Sequence, residues 1–246
     1  KMCFAVTEPN SGLDTSSLET KAERTNTGYT INGRKIWTTG AQRADKILII
    51  ARTTPKDQCA KPYLGLSLFY TDLDPNKIER QPIPKMGRKA VECNMLYIDG
   101  LEVPKDHLIG EEGEGFKYLL QGLNPERVLF AVESIGLGFS ALERAATYAK
   151  ERVVFGRPIG QNQGIQHPLA KSWAELSAAE LLAYKAAGLY DAGQDCGAEA
   201  NSAKYLGTEA GFRACETAVL THGGMGYAKE YHVERMMREA MLARIA

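Results

Sequence analysis

The chain lacks an excess of charge of either sign. Lysine and arginine together number 30, aspartate and glutamate together also number 30, and the formal net charge at pH 7 is +0. A balanced chain gives no electrostatic argument for nucleic acid or an anionic membrane surface as its partner. No apolar stretch approaches the roughly 20 consecutive residues that a membrane-spanning helix needs. The sequence therefore predicts no nucleic-acid partner and no membrane span.

Cysteine and histidine are also scarce, and their spacing excludes two further classes of site. The 5 cysteines are widely scattered, odd in number and without a C-x-x-C pair, which is typical of reduced thiols in an intracellular compartment. The 4 histidines show no metal-ligand spacing, so we expect no metal. Because Lys1 is not a methionine and Phe4-Ala5-Val6 already has a strand pattern, we expect the chain to begin inside a domain, with any targeting segment outside it.

The first part of the chain has the pattern of β structure. Short apolar runs at 46–51, 64–70 and 94–98 are separated by glycine and proline, as in small sandwiches and barrels. Asn32-Gly33 lies between two strand-like runs and predicts a hairpin turn, because both residues tolerate positive φ.

The pattern becomes helical after an acidic, glycine-rich junction at 110–115. Its period and breaks predict helices at about 115–150, 163–192, 197–222 and 230–245. We therefore expect an α+β protein in which a small β-sandwich or barrel domain, 1–107, precedes an antiparallel helical bundle, 112–246.

Two blocks in the β part carry the strongest functional signal, Val6-Thr7-Glu8-Pro9-Asn10-Ser11-Gly12 and Lys35-Ile36-Trp37-Thr38-Thr39-Gly40. Spacing alone makes them a loop and a strand with a core aromatic. In this order and at this distance they resemble the flavin-binding β-domain of acyl-CoA dehydrogenases, where an aromatic face and polar donors orient the isoalloxazine ring. The resemblance implies FAD as cofactor, lined by Phe4, Val6, Thr7, Gly12, Trp37 and Thr39. Leu13 departs from it, because the family usually has a serine there that reaches the flavin phosphates.

Two motifs in the helical part extend this resemblance. Arg152, Phe155-Gly156 and Gln163 form a helix end by pattern alone, but they resemble the family's Arg-x-x-Phe-Gly…Gln motif. That motif holds the pyrophosphate and adenine of a flavin in a neighbouring subunit, which implies this role for Arg152, Phe155 and Gln163. The turn Gly223-Gly224-Met225-Gly226 is similar to one whose backbone approaches the same phosphates, which implies Gly224. Leu220 replaces a glutamine that the family often uses.

A catalytic carboxylate is the remaining requirement of the family's reaction. Desaturation of an acyl thioester needs a base for the α-proton, and burial that raises a carboxylate pKa favours this role. The pattern Asn124-Pro125-Glu126-Arg127 predicts a helix start, with Asn124 as N-cap. Family members similar to isovaleryl-CoA and some long-chain dehydrogenases have their base directly before an arginine, which implies Glu126 as base and Arg127 as substrate-binding. Most other members have the base at a position beyond Ala246, and that alternative stays open.

The resemblance covers essentially the whole chain, as a middle β-domain and most of a C-terminal helical domain. It implies that an N-terminal helical domain and a final helix are missing. It also implies α,β-desaturation of an acyl-CoA in a homotetramer, with an electron-transfer flavoprotein as partner, in a bacterial cytoplasm or a mitochondrial matrix. Two alternatives stay open: a flavin oxidase or monooxygenase on the same fold, and a degenerate acyl-CoA-binding or assembly subunit.

Overall fold

The computed structural model describes all 246 residues, which divide into two compact units, Lys1–Gln121 and Gly122–Ala246. The first unit contains a mixed β-sheet, and most of the helical structure belongs to the second. The predicted α+β class is confirmed. The domain limits 1–107 and 112–246 stay a prediction.

Eight strands of the first unit form one sheet. They are β1 (Met2–Ala5), β2 (Lys21–Arg24), β3 (Gly28–Thr39), β4 (Lys46–Arg52), β5 (Leu66–Asp72), β6 (Ile78–Pro82), β7 (Cys93–Pro104) and β8 (Leu108–Ile109). The order is β6-β7-β3-β2-β4-β5-β8, with β1 beside β4. β1 and β2 run parallel to β4, and the other neighbours are antiparallel. Alternate apolar residues such as Ile31, Ile47, Ile49 and Phe69 form the core, as the two-residue period of a strand requires.

The hairpin predicted at Asn32-Gly33 is wrong, because both residues lie inside the continuous strand β3. The irregularity belongs to β7, where Asp99 and Gly100 together oppose Asn32. Gly100 adopts φ 65, and its N–H donates to Asn32 Oδ1 at 2.7 Å. Gly33 has a packing role, since a Cβ there would lie 2.7 Å from Thr20 Cα. The asparagine and glycine therefore accommodate a bulge and a close backbone approach instead of a turn.

Four long helices follow, as predicted. They are α1 (Gly115–Glu151), α2 (Gln163–Asp191), α3 (Gly197–His222) and α4 (Val233–Ile245), and a two-stranded ribbon of β9 (Val153–Val154) and β10 (Arg157–Pro158) lies between α1 and α2. The helix start predicted at Asn124 is wrong, because α1 begins at Gly115 and contains Pro125. Proline deprives Gln121 of its helical donor, but the burial of Leu119 and Val128 on either side maintains the helix across this position.

Small residues dominate the core of the second unit. One cluster contains Ala131, Ala179, Ala203, Ala210 and Ala214 from three helices. Short side chains let helix axes approach closely. At Gly211 of α3 the approach is so close that a Cβ would lie 2.4 Å from the Ser134 carbonyl oxygen. None of the helices combines the length and the apolar character that crossing a membrane would require.

Candidate functional site

Trp37 lies in a β-bulge of β3. Lys35 pairs with Leu96 and Thr38 pairs with Asn94, so Ile36 and Trp37 together oppose the single residue Met95. Trp37 has φ 62, a left-handed conformation that is uncommon for a bulky residue. A bulge re-aims the side chains of its strand, and the Trp37 side chain is 52% exposed. The backbone thus holds a large aromatic ring at the surface of the first unit.

An ion pair that sequence reasoning missed lies directly before this bulge. Lys35 is completely buried, and its Nζ donates to Glu8 Oε1 at 2.8 Å and to the Val6 carbonyl oxygen at 2.9 Å. Glu8 is also buried and accepts from the Thr20 and Glu19 N–H groups at 3.0 and 2.7 Å. The available signal was the alternation along β3, because Lys35 is in phase with the buried residues Tyr29 and Ile31.

The two members of this pair titrate under opposing influences. Burial lowers the pKa of the Lys35 ammonium to about 8, while the charge of Glu8 and its hydrogen bond act in the opposite direction. Burial by itself raises the pKa of Glu8, but the Lys35 charge and the hydrogen bonds from Lys35, Thr20 and Glu19 more than offset this and hold it below 4.5. Both groups are therefore charged at neutral pH, and each is satisfied by hydrogen bonds.

The structure brings the two sequence blocks together. The Ile36 N–H donates to the Thr7 carbonyl oxygen at 2.9 Å, so the Val6-Thr7 segment is bonded to β3 immediately before Trp37. Phe4, Val6 and Thr7 are half-buried, and Thr39 is exposed, with its Oγ1 3.3 Å from Cys93 Sγ. The predicted residues of the first unit therefore combine an exposed aromatic ring with hydroxyl groups and peptide groups on one bonded pair of segments.

Two glycines that the sequence predicts to bind FAD have open space beside them. A Cβ at Gly12 or at Gly224 would meet nothing within 4 Å, so contacts inside the chain do not explain glycine at either position. Both glycines are exposed, as are Leu13 at 99% and Leu220 at 73%. Open space beside a glycine lets a phosphate approach the backbone. The residues present therefore fit a dinucleotide such as FAD, although Leu13 and Leu220 offer it no polar contact.

The predicted residues of the second unit stand at the surface. Phe155 and Gly156 form the two-residue loop between β9 and β10, with φ values of 53 and 78, the signs of a type I′ turn. Phe155 is 102% exposed, so its ring makes almost no contact with its own chain. Arg152 and Gln163 are exposed beside the ribbon, at the end of α1 and the start of α2. These side chains are presented outwards at and beside a short two-stranded ribbon.

Glu126 is exposed within α1. The buried carboxylate that the chemistry favours is therefore not formed by this chain alone. Its neighbour Arg127 is half-buried and donates from Nη1 to Asn124 Oδ1 at 2.9 Å, which orients the guanidinium. The structure thus places the predicted base within reach of an external ligand and fixes the arginine beside it.

Two clefts contain none of the predicted site residues. One, of about 290 Å³, lies in the first unit and is lined by Tyr63, Leu64, Gly113, Glu114, Phe116, Lys117 and Leu120. The other, of about 470 Å³, lies in the second unit and includes His222 stacked on Tyr148 at 4.3 Å. His222 Nδ1 lies 2.7 Å from the Ala218 carbonyl oxygen. His222 thus has a structural role at the C-terminal end of α3.

Comparison with known proteins gives one consistent family. The family model described as acyl-CoA dehydrogenase, middle domain, matches residues 3–101, and the one described as acyl-CoA dehydrogenase, C-terminal domain, matches residues 113–246. An acyl-CoA dehydrogenase of Bacillus subtilis (strain 168) is 40% identical over 243 residues, which cover 98% of this chain and 63% of that protein.

Solved structures agree. Butyryl-CoA dehydrogenase from Megasphaera elsdenii superposes with a TM-score of 0.94 at 33% identity, over 99% of this chain and 63% of that one. An FAD complex of PigA superposes with a TM-score of 0.93 at 28% identity, over 99% of this chain and 63% of that one. The chain spans about 63% of the length of these relatives.

Proposed function

Because the chain belongs to the acyl-CoA dehydrogenase family, we propose that it is part of an FAD-dependent enzyme that desaturates an acyl-CoA thioester between its α and β carbons. The observation that carries this proposal is the exposed Trp37 at a bulge that is bonded to the Val6-Thr7 segment. A flat aromatic face beside hydroxyl and peptide donors is what an isoalloxazine ring requires for its orientation.

The first unit holds the ring end of FAD in this proposal. Phe4, Val6, Thr7, Gly12, Trp37 and Thr39 line it. When bound there, FAD supplies the acceptor for the β-hydride of the substrate. The chain's own part is to bind the ring in one orientation and to keep the β carbon against it. The open space at Gly12 supports the approach of the phosphate chain at this end.

The second unit binds the pyrophosphate and adenosine end of an FAD molecule whose ring is bound by a neighbouring copy of the chain. Arg152 pairs with the pyrophosphate, because a guanidinium offers two parallel donors to a phosphate. Phe155 and Gln163 contact the adenosine part, and the backbone at Gly224 approaches the phosphates. The exposed ring of Phe155 supports this role. Large exposed side chains on α2, Trp173, Leu181 and Tyr184, support the association of copies into a homotetramer. Electrons leave the enzyme to an electron-transfer flavoprotein.

In the proposed reaction Glu126 would remove the α-proton, and FAD, when bound, would supply the acceptor for the β-hydride as the Cα–Cβ double bond forms. A thioester substrate over Glu126 excludes water from the carboxylate, which favours the proton transfer. Arg127, held by Asn124, contacts the acyl-CoA and positions it.

Anaerobic titration of the FAD-loaded protein with a panel of acyl-CoAs tests the proposal. The wild type, Glu126→Gln and the matched control Glu143→Gln, on the same helix, are compared by the loss of oxidised-flavin absorbance. We expect bleaching in the wild type and the control, and a rate lower by about 10²–10⁴-fold in Glu126→Gln, which is the typical contribution of a positioned base.

The other outcomes separate the alternatives. Equal bleaching in all three proteins would assign the base to another residue. Absence of bleaching with bound FAD and every thioester contradicts the dehydrogenase. Rapid reoxidation of the reduced protein by air indicates an oxidase or monooxygenase. A protein that cannot be loaded with FAD indicates a degenerate subunit.

A further inference from the structure

Lys35 connects the two segments that face the proposed flavin. Its side chain is completely buried, yet its ammonium reaches the Val6 carbonyl at 2.9 Å and Glu8 at 2.8 Å. Trp37 follows it by two positions, and Val6 directly precedes Thr7. A buried ion pair often contributes no more stability than apolar residues of similar volume. The presence of this pair directly before the bulge therefore calls for a reason other than stability.

The geometry of the peptide group supplies such a reason. All peptide bonds are trans, so the carbonyl of one residue and the N–H of the next point in opposite directions. Lys35 attracts the Val6 carbonyl into the core, which turns the Thr7 N–H away from the core. The Thr7 N–H donates to no backbone group of the chain, while the Thr7 carbonyl accepts from Ile36 at 2.9 Å. One peptide donor is thus fixed in direction and left free.

We propose that Lys35, with Glu8 as its counter-charge, is a positioning residue that directs the Thr7 N–H and the Trp37 bulge toward the flavin. This inference rests on the proposed function. Glu8 holds the Lys35 ammonium in place, because its carboxylate accepts from Lys35, Thr20 and Glu19. Methionine at position 35 can fill the space of the lysine stem, but it cannot donate to the Val6 carbonyl. Without that donor, the Val6–Thr7 peptide group loses the hydrogen bond that fixes its direction.

The test removes both charges together, since a single substitution would leave an uncompensated buried charge. Glu8→Gln/Lys35→Met is compared with the wild type and with Ile49→Ala, a control that leaves a cavity in the core of the same sheet. Urea unfolding first establishes that all three proteins are folded. Amide hydrogen exchange of Ile36 is then measured in the FAD-free proteins. We expect Ile36 to lose its protection in the double variant and to retain it in the control.

Flavin binding is the second readout. The dissociation constant for FAD and the absorption spectrum of the bound flavin are measured for the same three proteins. We expect the affinity of the double variant to fall about tenfold (~1.4 kcal/mol), with a shifted flavin band, and that of Ile49→Ala to remain within about twofold.

The outcomes are distinguishable. Retained protection of Ile36 in the double variant would overturn the proposal, because the ion pair would then not hold the segment. Lost protection with unchanged FAD affinity and spectrum would overturn it as well and would leave the pair with a purely structural role. If the wild type does not bind FAD, the proposed function fails first. In that case the exchange result alone decides whether the ion pair orders the segment, and a role toward flavin is refuted.

Discussion

The two units hold their candidate site residues in different ways. In the first unit, Trp37 and Thr7 lie on segments that are bonded to each other and to the buried pair Glu8 and Lys35. In the second unit, Phe155 stands at the tip of a ribbon with its ring fully exposed. The residues of the first half of the proposed site are therefore held by contacts within the chain, whereas Phe155 in the second half has almost no contact with its own chain.

The difference follows from the backbone of each unit. At the end of a strand, peptide N–H groups remain free, and those of Glu19 and Thr20 satisfy a buried carboxylate. A helix interior uses its own N–H groups within the helix, so it has none to offer a buried charge. The helical unit accordingly has ion pairs that are partly exposed: Lys185–Glu199, Arg213–Glu175, Arg238–Glu234 and Arg244–Glu209. Close packing of small residues takes the place of polar networks there.

Glu8→Gln is expected to cause the largest loss of stability, and it tests the difference between the two units. Removing the carboxylate leaves the Lys35 ammonium buried without a counter-charge, so we expect the free energy of unfolding of the first unit to fall by about 3–5 kcal/mol at pH 7. The two tryptophans allow a separate measurement, because Trp37 reports on the first unit and Trp173 on the second. Urea unfolding in the Trp173→Phe and Trp37→Phe backgrounds then localises the loss.

The pH dependence is an internal control for the same prediction. The pKa of Glu8 is lower in the folded unit than its ordinary value of 4.5. The stabilisation is therefore complete above pH 4.5, and it is lost as the pH falls through the folded-state pKa, because the unfolded chain takes up the proton first. Glu8→Gln should abolish this component of the acid sensitivity of the first unit. An equal loss in the Trp173 signal would contradict the proposed difference between the units.

A smaller loss of stability is expected from substitution of Gly211 in the helical unit, and the exposed Gly224 of the same unit serves as the comparison. Gly211→Ala places a Cβ 2.4 Å from the Ser134 carbonyl oxygen, so we expect the free energy of unfolding to fall by about 1–3 kcal/mol through overpacking. Gly224→Ala meets nothing within 4 Å and should leave the stability of the FAD-free protein unchanged. Its expected cost is in FAD affinity, which titration of flavin fluorescence measures. A loss of stability in Gly224→Ala would instead assign that glycine to folding.

Much of the fold follows from the sequence, because periodicity reports which faces are buried. The limits predicted for α1 and α3 agree with those observed to within a residue. Local rules failed at Asn32-Gly33 and at Asn124-Pro125, where the turn and cap signals are real but tertiary contacts override them. In both cases the decisive partner, Thr20 in one and the apolar face of a long helix in the other, is specified outside the local pattern.

The candidate site was less accessible to sequence reasoning. The motifs identify Trp37 and Thr7, but no motif states that Trp37 has positive φ or that Lys35, two positions before it, is buried. A lysine in a strand is exposed more often than not, and its burial becomes visible only when its carboxylate partner, 27 positions away, is brought beside it. Long-range polar pairs of this kind produce almost no pattern in the local sequence.

The smallest effect on stability is expected from Trp37→Gly, which is also the most discriminating test of the bulge. A non-glycine residue at φ 62 carries a conformational cost of about 1–2 kcal/mol, and glycine removes it. Lost contacts of the half-buried indole and the entropy of glycine offset this gain, so the free energy of unfolding should change by only about 1 kcal/mol or less. FAD affinity, in contrast, should fall at least about tenfold, as loss of an aromatic contact worth about 1.4 kcal/mol implies.

Circular dichroism during urea unfolding and flavin titration measure the two quantities, with Phe155→Gly, at φ 53, as the matched variant in the second unit. If Trp37→Gly lost several kcal/mol of stability and bound FAD normally, the strained aromatic would be a folding element and the first unit would not be the preorganised half of the site.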